Sequence, residues 1–111
     1  MPYNEQFCPS FQHAVELLGK RWTGLIIKVL LAGPQRFGEI SDQIEGVSDR
    51  MLSERLKEFE AEGLIERRVY PETPVRIEYR LTEKGQALEA VIEAMANWSH
   101  RWVDAEAALV D

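Results

Sequence analysis

Arg50, Ser53, Glu54 and Lys57 form the pattern in the sequence with the clearest chemistry (RMLSERLK). On an α-helix turning about 100° per residue they share a face, opposite Leu52, Leu56 and Phe59. Such a face could read base edges. A guanidinium suits guanine O6 and N7, a carboxylate accepts from cytosine N4, and a hydroxyl is permissive. Met51 and Arg55 flank it, within reach of a thymine methyl and a phosphate respectively. Plain solvation would also account for the face, as on any amphipathic helix. Glu58, Glu60 and Glu62 favour solvation, but they lie in the later turns, away from the end that enters a groove.

A second basic set is Arg67, Arg68 and Arg76, with Tyr70 beside the turn that separates them. On a hairpin these arginines could lie along a phosphate backbone or in a minor groove. Cross-strand pairing of Arg76 or Arg80 with Glu66 is the structural alternative. Arg36 could meet a phosphate, or pair within its helix with Glu39. Ser48 is an N-cap at the same end as Arg50 and joins the candidate DNA-facing set.

Cys8 stands before Pro9 and a helical pattern, where a helix dipole would favour a reactive thiolate. His13 or Lys20 could assist it; a quiet, partly buried cysteine is the alternative. As the one cysteine, it allows no intramolecular disulfide, and two histidines make a zinc site improbable in spacing. There is no nucleophile–base pair and no glycine-rich phosphate loop, so an enzyme is not expected, nor a cofactor or metal.

The elements that would position these groups follow from periodicity. Helical spacing covers Ser10–Leu18, a nearly continuous apolar run covers Trp22–Leu31, and Gly33-Pro34 ends it. Arg36–Ile44 places Phe37, Ile40 and Ile44 on one side of a short helix. Gly46 marks a turn, and Ser48–Glu62 forms the next helix, closed by Gly63. Leu64–Tyr70 and the alternating Val75–Leu81 are strands about a PETP turn. Thr82 caps one long helix from Glu83 to about Ala108, with Leu88, Val91, Ile92, Met95, Trp98 and Trp102 as its apolar stripe. The expected fold is α+β, mainly α: a winged helix-turn-helix in a single domain over residues 1–111. Helix-turn-helix spans 36–62 and the wing 64–81.

The net charge of −6 argues against nucleic acid until it is divided along the chain. Lys20–Lys84 holds twelve basic and twelve acidic residues, so the acidic excess belongs to the two ends. No apolar run approaches the roughly 20 residues of a membrane helix. Met1–Ser10 lacks the pattern of a signal peptide, so the expected location is the cytoplasm.

Cys8-Pro9, Leu18-Gly19-Lys20-Arg21-Trp22 and Arg36-Phe37-x-Glu39-Ile40 resemble the HxlR-type winged-helix transcriptional regulators. So do Met51-Leu52-Ser53-x-x-Leu56-Lys57-x-Phe59-Glu60-x-x-Gly63-Leu64-Ile65-x-Arg67 and Tyr70-Pro71 through Pro74-Val75-x-Ile77-Glu78-Tyr79-x-Leu81-Thr82-x-x-Gly85. The resemblance runs from Cys8 to about Trp98. Phe59 stands where a leucine is usual and Arg21 where lysine is frequent. It implies a bacterial homodimer on double-stranded DNA, with the first and last helices (8–19 and 83–108) forming the dimer. It also implies that Cys8 is a candidate redox or electrophile sensor, and that Arg36, Met51, Ser53 and the Arg67–Arg76 hairpin are on DNA. Phe11, Val91, Met95, Trp98 and Trp102 would then be interface residues. Packing within the chain, or a small-molecule effector pocket lined by Met95, Trp98 and Trp102, are other uses of that stripe. A winged-helix protein-interaction module without DNA binding is the competing function.

Overall fold

The computed structural model describes residues 8–110, with side chains as far as 108. The signal-peptide reading of the first residues, and the charges of Glu5 and Asp111, lie outside the described residues. The order is α1 (Pro9–Gly19), α2 (Thr23–Leu30), α3 (Phe37–Gln43), α4 (Asp49–Ala61), β1 (Ile65–Tyr70), β2 (Arg76–Leu81), α5 (Glu83–Gln86), α6 (Glu89–Trp102) and α7 (Ala105–Val110). This is a mainly helical winged helix-turn-helix with a two-stranded antiparallel wing.

The apolar run of α2 explains the centre of the fold. Ile26, Ile27 and Leu30 are completely buried and meet Ile40 and Ile44 of the α3 segment, Leu52, Leu56 and Phe59 of α4, and Ile92 of α6. Each such side chain contributes about 1.5–3 kcal/mol by leaving water. The helix is not wholly buried, because Leu25 is 52% exposed. Trp22 precedes α2 instead of starting it, with a left-handed backbone at φ 80°. Packing on both sides holds that conformation: Arg21 lies 4.5 Å over its ring, and the ring edge reaches the Gly46 turn.

α4 ends where the wing begins. Gly63 takes φ 77°, a left-handed conformation that glycine adopts without a Cβ penalty, and the Leu64 N–H donates back to Phe59 O at 2.8 Å. The Thr82 hydroxyl donates to Gly63 O and accepts the Gly85 N–H, while the Thr82 N–H donates to Leu64 O at 2.9 Å. Lys84 Nζ donates to Glu62 O at 2.6 Å. The end of α4, both strands and α5 are thereby joined at one point. Gly85 is essential to it: a Cβ there would lie 2.2 Å from Leu64 O.

In the wing Ile65 faces Leu81, Arg67 faces Tyr79 and Tyr70 faces Arg76. Gln35 adds a third, single-residue rung beyond β2 through paired backbone bonds with Tyr79 at 3.0 and 2.8 Å. The expected single helix from Glu83 to Ala108 is instead three. Ala87 and Leu88 form a turn, with the Leu88 N–H bonded to Gly85 O at 3.1 Å. The second break follows from Val103, a β-branched residue in extended conformation, and Asp104, whose carboxylate accepts the Glu106 N–H at 3.0 Å.

Two glycine-to-alanine changes should separate packing from propensity. Gly85→Ala should cost about 2–3 kcal/mol by overpacking against backbone. Gly38→Ala, on α3 with nothing within 4 Å of the new Cβ, should stabilise by about 0.5–1 kcal/mol. Urea denaturation of both variants measures this; equal midpoints would contradict the tight junction.

Candidate nucleic-acid interface

α4 presents its N-terminal end outward. Ser48 caps it, its Oγ accepting the Met51 N–H at 3.1 Å, so this hydroxyl serves the helix first. Arg50 and Glu54 lie one turn apart, with Arg50 Nε 3.3 Å from the carboxylate and the Arg50 side chain 89% exposed. An exposed pair of this kind is weakly held and can part for a better partner. Lys57 is exposed, while Met51 and Ser53 are half-buried on the flank. The helix thus keeps Leu52, Leu56 and Phe59 inward and exposes Arg50, Glu54 and Lys57 on the far side, with Ser53 half-buried at its edge.

Arg55 departs from its expected phosphate-facing role. Its side chain is only 16% exposed, its Nε donates to Arg21 O at 3.1 Å, and its Nη1 meets Glu58 at 2.9 Å. It ties α4 to the loop between α1 and α2. The acidic later turns of α4 likewise face the protein's own cations. Glu58 also pairs with Lys20 at 3.5 Å, and Glu62 with His13 at 2.6 Å and Lys84 at 3.7 Å. Glu58 and Glu62 are thus paired within the protein, while Glu60 is exposed with no ion pair among the described residues.

The wing arginines differ sharply. Arg76 stacks 3.9 Å above the Tyr70 ring and bonds to Glu72 at 3.0 Å and Glu78 at 2.6 Å. Arg68 bonds to Glu66, holding that carboxyl below its ordinary range, with Arg80 opposite adding to the effect. Of the two cross-strand partners expected for Glu66, Arg80 stands opposite it in the register and donates to the Tyr70 hydroxyl at 3.3 Å, while Arg76 pairs elsewhere. Arg67 is exposed and has no ion pair among the described residues. The same holds for Arg36 on the first helix of the motif: Glu39 accepts its backbone N–H at 2.9 Å and leaves its guanidinium uncommitted. Sequence reasoning ranked the three wing arginines together. The distinguishing signal was Glu78, two residues from Arg76 and so on its side of the strand.

Cys8 is the N-cap of α1, and its Sγ accepts the Phe11 N–H at 3.3 Å. Negative charge is favoured at that end of a helix. His13 and Lys20 turn to α4 instead of to the thiol. At the opposite end of the chain Trp98 and Trp102 are 61% and 65% exposed, with Val91 and Met95 beside them and Phe11 and Val15 exposed on α1. Packing against the chain's own first helix therefore does not cover them. A groove between α2 and α6 includes Met95 in its lining but neither Trp98 nor Trp102.

Residues 17–107 match the sequence profile of the HxlR-like helix-turn-helix family. The uncharacterized HTH-type transcriptional regulator YvaP of Bacillus subtilis is 52% identical over 99 residues, covering 89% of this chain and 92% of that one. The HTH-type transcriptional regulator YodB of the same organism is 53% identical over 97 residues, 87% of each protein. The structure of reduced YodB superposes with a TM-score of 0.79 at 52% identity, over 88% of this chain and 96% of that one. YodB is also known in diamide-treated and quinone-bound forms. The redox regulator HypR in its oxidized form gives a TM-score of 0.81 at 33% identity, over 87% and 99%.

Arg55 and Lys57 are two residues apart on α4 yet differ in burial. Arg55→Ala should lower stability by about 1–3 kcal/mol, because the Arg21 carbonyl loses its side-chain donor and Glu58 keeps only Lys20. Lys57→Ala should stay within about 0.5 kcal/mol of the parent. Chemical denaturation of the two variants checks this, and equal stabilities would contradict the anchoring role.

Proposed function

The chain belongs to the HxlR-like helix-turn-helix family, and we propose that it regulates transcription as a homodimer on a pseudo-palindromic operator. The observation that carries this reading is the outward N-terminal face of α4, capped by Ser48 and bearing Arg50, Ser53, Glu54 and Lys57. In the proposed docking this end enters the major groove of double-stranded DNA, with Met51 beside it. Arg36 and Arg67, without an ion pair among the described residues, meet phosphates, and Arg68 follows once Glu66 is displaced. Arg76 fixes the shape of the wing tip through Glu72, Glu78 and Tyr70.

The apolar stripe of Val91, Met95, Trp98 and Trp102, with Phe11 of α1, is assigned to the dimer interface. Exposed aromatic surface on this scale in a short chain favours burial against a second copy. Segments 8–19 and 83–108 would then be the dimerisation part, 36–62 the helix-turn-helix and 64–81 the wing. No helix among the described residues is long and apolar enough to cross a membrane, and a cytoplasmic location suits a DNA-binding regulator. The family is one of regulators, not of enzymes.

The N-cap position of Cys8 supports a sensing role for its thiol toward oxidants or electrophiles. The reading gains support from YodB, known in diamide-treated and quinone-bound forms, and from HypR, a redox regulator.

Fluorescence anisotropy with an operator duplex and a scrambled one tests the docking. Arg50→Ala should cost about 1–3 kcal/mol at the operator and little on the scrambled duplex. Arg67→Ala should weaken both and reduce the salt slope by about one. Unchanged affinity in both variants would rule the docking out. Cys8→Ser should bind the operator normally and lose the response to diamide; an identical response in the variant would remove Cys8 from sensing.

A further inference from the structure

Beyond the DNA-facing side, the outer surface of α2 carries two adjoining grooves that share Leu25 and Lys28. The one toward α6 includes Met95 and runs into the exposed stripe already assigned to a second copy. The other, of about 540 Å³, lies between α2 and the end of α3. Leu25, Val29, Ala32 and Ile44 supply its apolar wall. Lys28, Gln43 and Glu45 supply its polar groups, and neither Lys28 nor Glu45 has an ion-pair partner among the described residues.

We propose that this α2–α3 groove is a binding site for a small, largely apolar organic acid that carries a hydroxyl or amine donor. The argument rests on size and charge complementarity. A volume in this range encloses a small organic ligand, and an apolar wall with few polar groups is the usual composition of such a site. The Lys28 ammonium attracts a carboxylate, and Glu45 accepts from a donor on the same ligand. Gln43 has its amide N–H groups engaged, donating to Gln35 Oε1 and to Glu39 O at 2.8 Å, so it can offer a further partner only its oxygen as an acceptor.

Gln43 also gives the groove a route to the wing. Its neighbour Gln35 donates to Val29 O at 2.6 Å and pairs through its backbone with Tyr79 of β2. Val29 and Gln43 line the groove, so an occupant presses on both ends of this bonded chain linking α2, α3 and the wing. A ligand that binds one arrangement of the chain better than another shifts the wing by that difference.

The test uses the full chain without DNA, so its failure leaves the operator reading intact. Hydroxynaphthoate is the probe, followed by amide and indole resonances in NMR titration. The expected result is a saturable shift at the amides of Leu25, Lys28, Ala32 and Glu45 and at the side-chain amides of Gln43 and Gln35. Lys28→Met should weaken binding about tenfold or more, and Ala32→Trp, which fills the groove from an exposed position, should abolish it at unchanged sedimentation. Shifts centred on the Trp98 and Trp102 indoles, or shifts that persist in both variants, would overturn the proposal. So would dissociation of the oligomer by Ala32→Trp, which would assign the groove to a second copy of the chain.

Discussion

The geometry of this protein depends on the junction at which α4, the wing and α5 meet. Gly63 reverses the chain, Thr82 bonds to the strand entering the wing, and the missing side chain of Gly85 lets α5 sit against the Leu64 carbonyl. The angle between α4 and the hairpin is set there. If a winged helix is to place a helix in a groove and a hairpin on the adjoining backbone, that angle must be fixed before DNA arrives, since ordering it on binding would reduce affinity. Burial does the rest: Leu64, Ile65 and Leu81 at the base of the wing join the same core as Ile26, Ile27 and Leu30 of α2.

Around this frame the charges are divided by use. Carboxylates in the second half of α4 hold His13, Lys20, Lys84 and Arg55 and so secure α1, the α1–α2 loop and α5. Glu72 and Glu78 hold Arg76 against Tyr70. On the proposed DNA-facing side, Arg36, Lys57 and Arg67 have no ion pair among the described residues, and Arg50 is only loosely paired. An acidic protein with so few available cations has little general attraction for phosphate, and its affinity must come from fit to a particular site.

Much of this was legible in the sequence because local rules governed it. The apolar run ending at Gly33-Pro34, the Ser48 cap, Gly63 and the alternation of Val75–Leu81 each report a short-range constraint, and those elements lie where they were expected. The last helix was misread because Ala87-Leu88 carries no breaker residue, and because Asp104 reads as an ordinary surface acid until its carboxylate is seen capping α7. The partners of Arg55 and Arg76 were not legible for a different reason. Both look like solvent-facing cations along the chain, and the Arg21 carbonyl beside Arg55 and the Tyr70 ring beneath Arg76 are placed by packing and turn geometry. Gln35 gave no sign of being a hub, because Val29, Gln43 and Tyr79, which it joins, lie on three different elements.

The central claim is that two copies of the chain present two α4 helices to one duplex. Selection of bound duplexes from a random pool by the full chain tests it most directly. The account predicts an enriched pseudo-palindrome whose half-sites lie about one helical turn apart, roughly 34–36 Å centre to centre, or a multiple of that. Enrichment of an isolated half-site, or no enrichment at all, would contradict it.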